Sequence, residues 1–396
     1  MDYSVTKKKE DYRAWICAVL LFVITFPKWF WGFGANLIVF ASLLLLLVAH
    51  DDISRNKRGK GLGLLAVLFQ LVIIWVTYIT DATNINGYVI MFLQAIGFST
   101  LFLCSVDFWK KCVDCFIKLL AVLLPFALVE HVLISFIGID TTSPYTATTP
   151  LNPDREYFAY VFNVYLQKSF DYFNRFYAFY DEPGVLGNIL MVMLYIQKFN
   201  FKKWYNIVIL VSGIMSFSLA FYIAVAAYYV LFGNKEQKMV FATVAIIATY
   251  YFYSNEYIYD YVFGRLEFQN GQMAGYNRER HGDFQYWIKT VPVVDYLFWG
   301  YQPRESVPYA ASWKWAFALW GIVPSFIYLF TIIYPRAKHL RHKSDILLGL
   351  VLTVIIWIQR PFVYQYLYAF LIVIPFIYLG STETKKQLAT NKVPKS

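Results

Sequence analysis

The sequence predicts an all-α, polytopic membrane protein: a bundle of about 12 helical spans with two large loops on its outer face. Three observations predict it. Of 396 residues, 59% are hydrophobic and only 15% charged, and the apolar residues come in long blocks, not in the one-sided stripes of soluble helices. About 20 apolar residues suffice to cross a bilayer, and blocks near that length recur along most of the chain. Lysine and arginine gather in short segments between the blocks, as they do on a cytoplasmic face. The net charge of +10 is therefore a topology signal, and nucleic acid is not an expected partner.

Taken in order, the candidate spans are 14–26, 30–49, 62–80, 88–106, 113–137, 184–199, 205–232, 239–254, 309–334, 346–358 and 362–379. Lys7-Lys8-Lys9 precede the first without a small-residue cleavage site after it, so that span is expected to stay as an anchor. The block 205–232 is long for one span and short for two. Ser212-Gly213 and Ser216-Phe217-Ser218 interrupt it. Charge decides the matter. The segments holding Arg55, Lys57, Arg58 and Lys60, then Lys110 and Lys111, then Lys198, Lys202 and Lys203 all belong inside. Lys235, Lys238, Arg336, Lys338, Arg341 and Lys343 join them only if 205–232 is two short helices meeting near Ser216–Ser218. The count is then about 12 spans within a single domain, 1–380, and both termini are cytoplasmic. The polar tail 381–396 is expected to be disordered.

Two outer loops remain, 138–181 and 255–308, and function is expected there. The first contains the aromatic run Tyr157–Tyr165, readable as a strand or as a helix lying in the interface. It ends on Arg175 and the turn Asp181-Glu182-Pro183-Gly184, where an apolar span begins. One reading of that turn is a helix start, with an acid at the cap and proline in the first turn. The other is a site, because charges at a membrane edge need a partner or a task.

The second loop carries Arg265, Arg278, Arg280, His281 and Arg304, with Glu267, Glu279 and Asp283 between them. Lys289 is its only lysine. The guanidinium fork binds phosphate oxygens bidentately; surface ion pairs are the plainer reading. Glu130-His131, near the outer end of a span, are either functional or snorkelling. Cys112 and Cys115 form one CxxC, too few ligands for a structural zinc site. No metal site and no cofactor is expected.

At these residues the chain resembles the Wzy-type O-antigen polymerases, relatives of the O-antigen ligases and other GT-C-type transferases of lipid-linked glycans. The likeness rests on Arg175 with Asp181-Glu182-Pro183-Gly184, on Arg278 and Arg280 followed by Pro292 and Gly300-Tyr301, and on the aromatic segment 312–319 before Gly321. Ligases usually carry a histidine ahead of that late span; here it reads Tyr309-Ala-Ala-Ser312-Trp313, which departs from the ligase pattern.

The resemblance implies a GT-C-like fold and an active site facing the periplasm from the inner membrane of a Gram-negative bacterium. A growing glycan on undecaprenyl pyrophosphate would pass to the non-reducing end of a new lipid-linked repeat unit. Arg175, Arg265, Arg278, Arg280 and Arg304 would bind the pyrophosphate. Glu182, then Asp181, with His281 as the alternative, would accept the acceptor's proton. The implied partners are undecaprenyl-pyrophosphate-linked oligosaccharides, the bilayer and a chain-length regulator. An O-antigen ligase, a transporter or flippase of lipid-linked oligosaccharides, and a non-catalytic scaffold are the competing classes.

Overall fold

The computed structural model describes residues 3–56, 61, 64–65, 67–68, 70–72, 85–139, 142–150, 152–167, 174–255, 259, 263–264, 267–269, 272–273, 289–300, 316–317, 320–338, 340–360 and 365–390. The fold is mostly helical with few strands. The chain divides into two compact units, where the sequence suggests one domain through residue 380. One unit comprises Met1–Thr25, Ala35–Leu119 and Glu279–Ser396; the other comprises Phe26–Gly34 and Leu120–Arg278.

The first unit is built from α1 (Tyr3–Ile24), α2 (Asn36–Val48), α3 (His50–Arg55), α4 (Ile85–Phe98), α5 (Thr100–Leu103), the first half of α6 (Val106–Val132), and three late helices whose ranges follow below. α1 packs on α2, and α2 on α4. Close approach is built in: a side chain at Gly97 would run into Ser42. Trp109, fully buried, sits 5.8 Å from the ring of Phe370, and the Thr100 and Tyr366 hydroxyls lie 2.6 Å apart.

At one end of this unit, three sequence-distant segments meet. Asp52 accepts from Ser105 N and Oγ at 2.6 and 2.7 Å, and Asn56 donates to Leu103 O at 2.8 Å. Arg336 donates to Leu101 O and Cys104 O at 2.6 and 2.8 Å. Basic segments expected on one face thus share one end of this unit.

The second unit holds the rest of α6, which runs on as a π-helical turn, Leu133–Ile137. It continues with strands β1 (Tyr145–Thr149), β2 (Asn152–Ala159) and β3 (Val164–Leu166), then α7 (Pro183–Ile196), α8 (Trp204–Met215), α9 (Leu219–Phe232) and α10 (Lys235–Ser254). The described part of the first expected outer loop therefore carries a three-stranded sheet. β1 and β2 pair antiparallel with a bulge between Thr148 and Thr149, and β2 pairs antiparallel with β3. Threonine and aromatic residues suit a pleated, half-buried surface, which resolves the strand-or-helix ambiguity at Tyr157 in favour of strand.

α7 is the centre of this unit, with every residue from Pro183 to Ile196 buried. Gly187 permits contact with the next helices, since a Cβ there would stand 2.5 Å from Ser218 Oγ. α8 and α9 are separate helices, broken at Ser216–Ser218, where Phe217 takes a left-handed φ of 47°. A non-glycine residue in that region is costly and ends the helix there.

Among the described residues, one apolar helix is long enough to cross a membrane: Val106–Ile137, of 32 residues. Apolar helical stretches of 10–17 residues accompany it, some of them parts of longer helices. The second expected outer loop contributes the two-residue ladder of β4 (Phe268–Gln269) with β5 (Gln272–Met273) and a π-helical turn, Asp295–Trp299. The chain closes with α11 (Ile322–Ala337), α12 (Lys343–Gln359) and α13 (Tyr366–Thr390), where α13 packs on both α11 and α12. The tail departs from expectation, because α13 continues through Thr390. Residues 383–389 are Glu-Thr-Lys-Lys-Gln-Leu-Ala, mostly strong helix formers that extend a helix already begun; 391–396 lie outside the described residues.

Candidate functional site

β2 places Arg155, Tyr157 and Ala159 on one face, as the two-residue period requires. Tyr157 and Ala159 are buried, while Arg155 stands at the rim. Its guanidinium donates to Glu182 Oε1 at 2.7 Å, with the two side chains 46% and 19% exposed. Glu182 is the N-cap of α7 in extended conformation, yet its side chain makes no cap bond. The helix-start reading therefore accounts for Pro183 in the first turn and not for the carboxylate, which is turned to Arg155.

Asp181 is 9% exposed and lies close enough to bear on the Tyr157 hydroxyl. Burial chiefly, and then the Asp181 charge, push that hydroxyl above the ordinary tyrosine range; Arg155 acts in the opposite direction. Trp31 packs 5.3 Å from the Tyr157 ring. The result is an Arg-Tyr-Asp-Glu group at the mouth of a wholly buried helix, with one cation and one carboxylate reachable from solvent.

Arg175 points elsewhere. It donates to Phe217 O at 2.7 Å, at the break between α8 and α9, and Phe176 N donates to Met215 O at 3.2 Å. The guanidinium thus satisfies a carbonyl that the break leaves outside both helices. Among the described bonds, Glu182 engages Arg155, an arginine that the expected grouping of Arg175 with Asp181 and Glu182 does not include. Arg265, Arg278, Arg280, His281 and Arg304 lie outside the described residues. Nearby in sequence, Tyr259 donates to Glu267 Oε1 at 2.6 Å.

Glu130 proves to be neither snorkelling nor open to a substrate. It is buried, and its carboxylate accepts from Val161 N (3.1 Å), Phe162 N (2.8 Å) and Asn163 Nδ2 (2.9 Å). Lys28, equally buried, donates to Asn163 O at 3.2 Å. Its pKa is lowered from 10.5 to about 8, chiefly by burial, with the Glu130 charge opposing the fall. His131 Nδ1 lies 3.0 Å from the Tyr165 hydroxyl, and its ring packs on Phe176. These residues hold the sheet against α6.

Arg155 is not among the residues that the sequence singles out, and Tyr157 is read only as the start of an aromatic run, although one signal is present. Outer-face arginine is uncommon, and that reasoning applies to Arg155 as much as to the second loop. Among the described residues no three histidine, cysteine, aspartate or glutamate side chains are grouped to hold a metal. No protein-family model, curated protein or solved structure matches the chain.

Proposed function

We propose that this chain is a multi-pass membrane glycosyltransferase that polymerises O-antigen repeat units in the periplasm. It would transfer the growing glycan from undecaprenyl pyrophosphate to the non-reducing end of a new lipid-linked unit. The observation that carries the reading is the rim pair Arg155–Glu182 beside Asp181, because it supplies a phosphate-binding fork and a proton acceptor in one place. The topology of about 12 spans, with both termini cytoplasmic, draws support from the break at Ser216–Ser218. The meeting of Asp52, Ser105 and Arg336 at one end of the first unit supports it as well.

In the proposed step, the acceptor hydroxyl attacks the anomeric carbon of the donor glycan. A new C–O bond forms to the acceptor as the C–O bond to phosphate breaks. Glu182 takes the hydroxyl proton. Undecaprenyl pyrophosphate leaves with the bonding electrons, and Arg155, exchanged from Glu182, offsets the charge on the leaving oxygen. Arg265 and Arg278, which lie outside the described residues, are proposed to complete the phosphate contacts. Arg175 is assigned to positioning, through Phe217 O, of the segment that leads into Asp181-Glu182.

Glycan profiling of cells expressing Glu182→Gln or Arg155→Ala at normal level tests the assignment. A polymerase lesion leaves lipid A-core capped with one repeat unit. A core with no cap indicates a ligase, and unchanged ladders in both variants remove the mechanism.

A further inference from the structure

The turn that joins β2 to β3 is constructed unlike a loop tip that faces water. Its exposed residues are apolar: Val161 is 46% exposed and Phe162 is half-buried. Three of its N–H groups and two of its carbonyls are satisfied from within. Tyr160 N donates to Asn163 O at 2.8 Å, and Val161 N and Phe162 N both donate to the buried Glu130 carboxylate. Val161 O accepts from Trp29 Nε1 at 3.2 Å, and Asn163 O accepts from Lys28 Nζ. A tip in water needs none of this. A tip in hydrocarbon needs it, since each unpaired backbone group there costs several kcal/mol.

The tip also lies against a helix that crosses. Phe162 stacks on Phe126 of α6, centroids 5.5 Å apart, and Trp29 meets Phe162 edge-on at 6.1 Å. Val122, Phe126 and Val129 form an exposed stripe on α6 at helical spacing. The tip extends that stripe sideways. At 1.5 Å per residue the 32-residue helix is about 48 Å long, so it overruns a ~30 Å hydrocarbon core by roughly 9 Å at each end when centred. Phe126 stands about 16 Å from the Ile137 end, hence within the core.

We infer that residues 160–163 are inserted into the apolar part of the membrane alongside α6, anchoring by their tip the sheet that carries Arg155. The inference rests on the reading of α6 as a membrane span. Its consequence is positional: about 13 Å of strand separates Ala159 from Arg155, so the tip sets where the guanidinium stands relative to the bilayer.

The test is nitroxide accessibility in proteoliposomes, with the full chain freed of its four native cysteines. Labels are placed one at a time through Val161→Cys, Phe126→Cys and Glu156→Cys. All three positions retain solvent exposure or lie at the surface, so the fold tolerates them. The expected result is that labels at 161 and 126 collide several-fold more with oxygen than with a water-soluble nickel chelate, and that the label at 156 shows the reverse. A label at 161 that matches 156, while 126 remains in lipid, overturns the insertion alone. Nickel access at 126 as well overturns it by removing the span on which it rests. Protection of 161 from both reagents overturns it in favour of a protein partner over the tip.

Discussion

Arg336 in the first unit and Arg155 in the second are both partly exposed arginines reaching a distant partner, and they are put to opposite uses. Arg336 gives three hydrogen bonds to two backbone carbonyls, Leu101 O and Cys104 O. A carbonyl cannot move away, be protonated or be displaced by substrate, so this guanidinium is a fixed clasp. Arg155 gives its bond to a carboxylate that is itself reachable, so under the proposed function this is the pair that an incoming phosphate would have to open. What receives the guanidinium, more than how buried it is, separates structural from exchangeable charge.

Four cations grade that comparison. The largest expected effect belongs to Lys28. Its folded pKa of about 8 lies below the ordinary 10.5, so between these values the unfolded chain holds a proton that the folded chain has lost. Stability therefore rises with pH across about 8 to 10.5, by about 3 kcal/mol when complete, and the penalty is present in full below pH 8. Denaturation of purified protein over that window should show the rise, and Lys28→Met should flatten it. Arg336→Ala comes next, at about 2–3 kcal/mol, because two carbonyls lose a charged donor; Arg336→Lys, lacking the fork, should recover only part.

Arg175→Ala should cost about 1.5–2 kcal/mol, for one charged bond to Phe217 O. Local opening should appear as faster amide exchange near the Ser216–Ser218 break. Arg155→Ala should cost least in stability, about 0.5–1 kcal/mol for an exposed pair, while glycan polymerisation falls by about 10²-fold or more. Equal stability losses for Arg155→Ala and Arg336→Ala would erase the distinction between them. A stable Arg155→Ala protein with full activity would leave the rim pair as a surface ion pair.

Much of the outline was readable from residue order. The Ser216-Phe217-Ser218 interruption marks a helix break once the basic segments on either side are required to share one face. Asp181-Glu182-Pro183 marked the start of α7, since proline tolerates only the first turn. The partners were not readable in the same way. Arg175 lay nearest Glu182 in sequence and was grouped with it, yet the chain turns so that Arg175 meets Phe217 and leaves Glu182 to Arg155. Glu130 carried a charge in an apolar block, and nothing local revealed that the N–H groups of residues 161 and 162 would close on it.

Residue order by itself determined the apolar blocks, the spacing of basic segments and the start of α7, because each depends on composition or on backbone preferences within a few residues, and the break between α8 and α9, through the charge balance of the segments around it. Tertiary structure alone decided which arginine meets Glu182, what holds Glu130 and Lys28 in the interior, and where the β2–β3 turn lies against α6. Those outcomes depend on β-sheet register, a single bulge and contacts spanning 27 to 135 residues, and a one-residue change of register would have turned Arg155 to the other face.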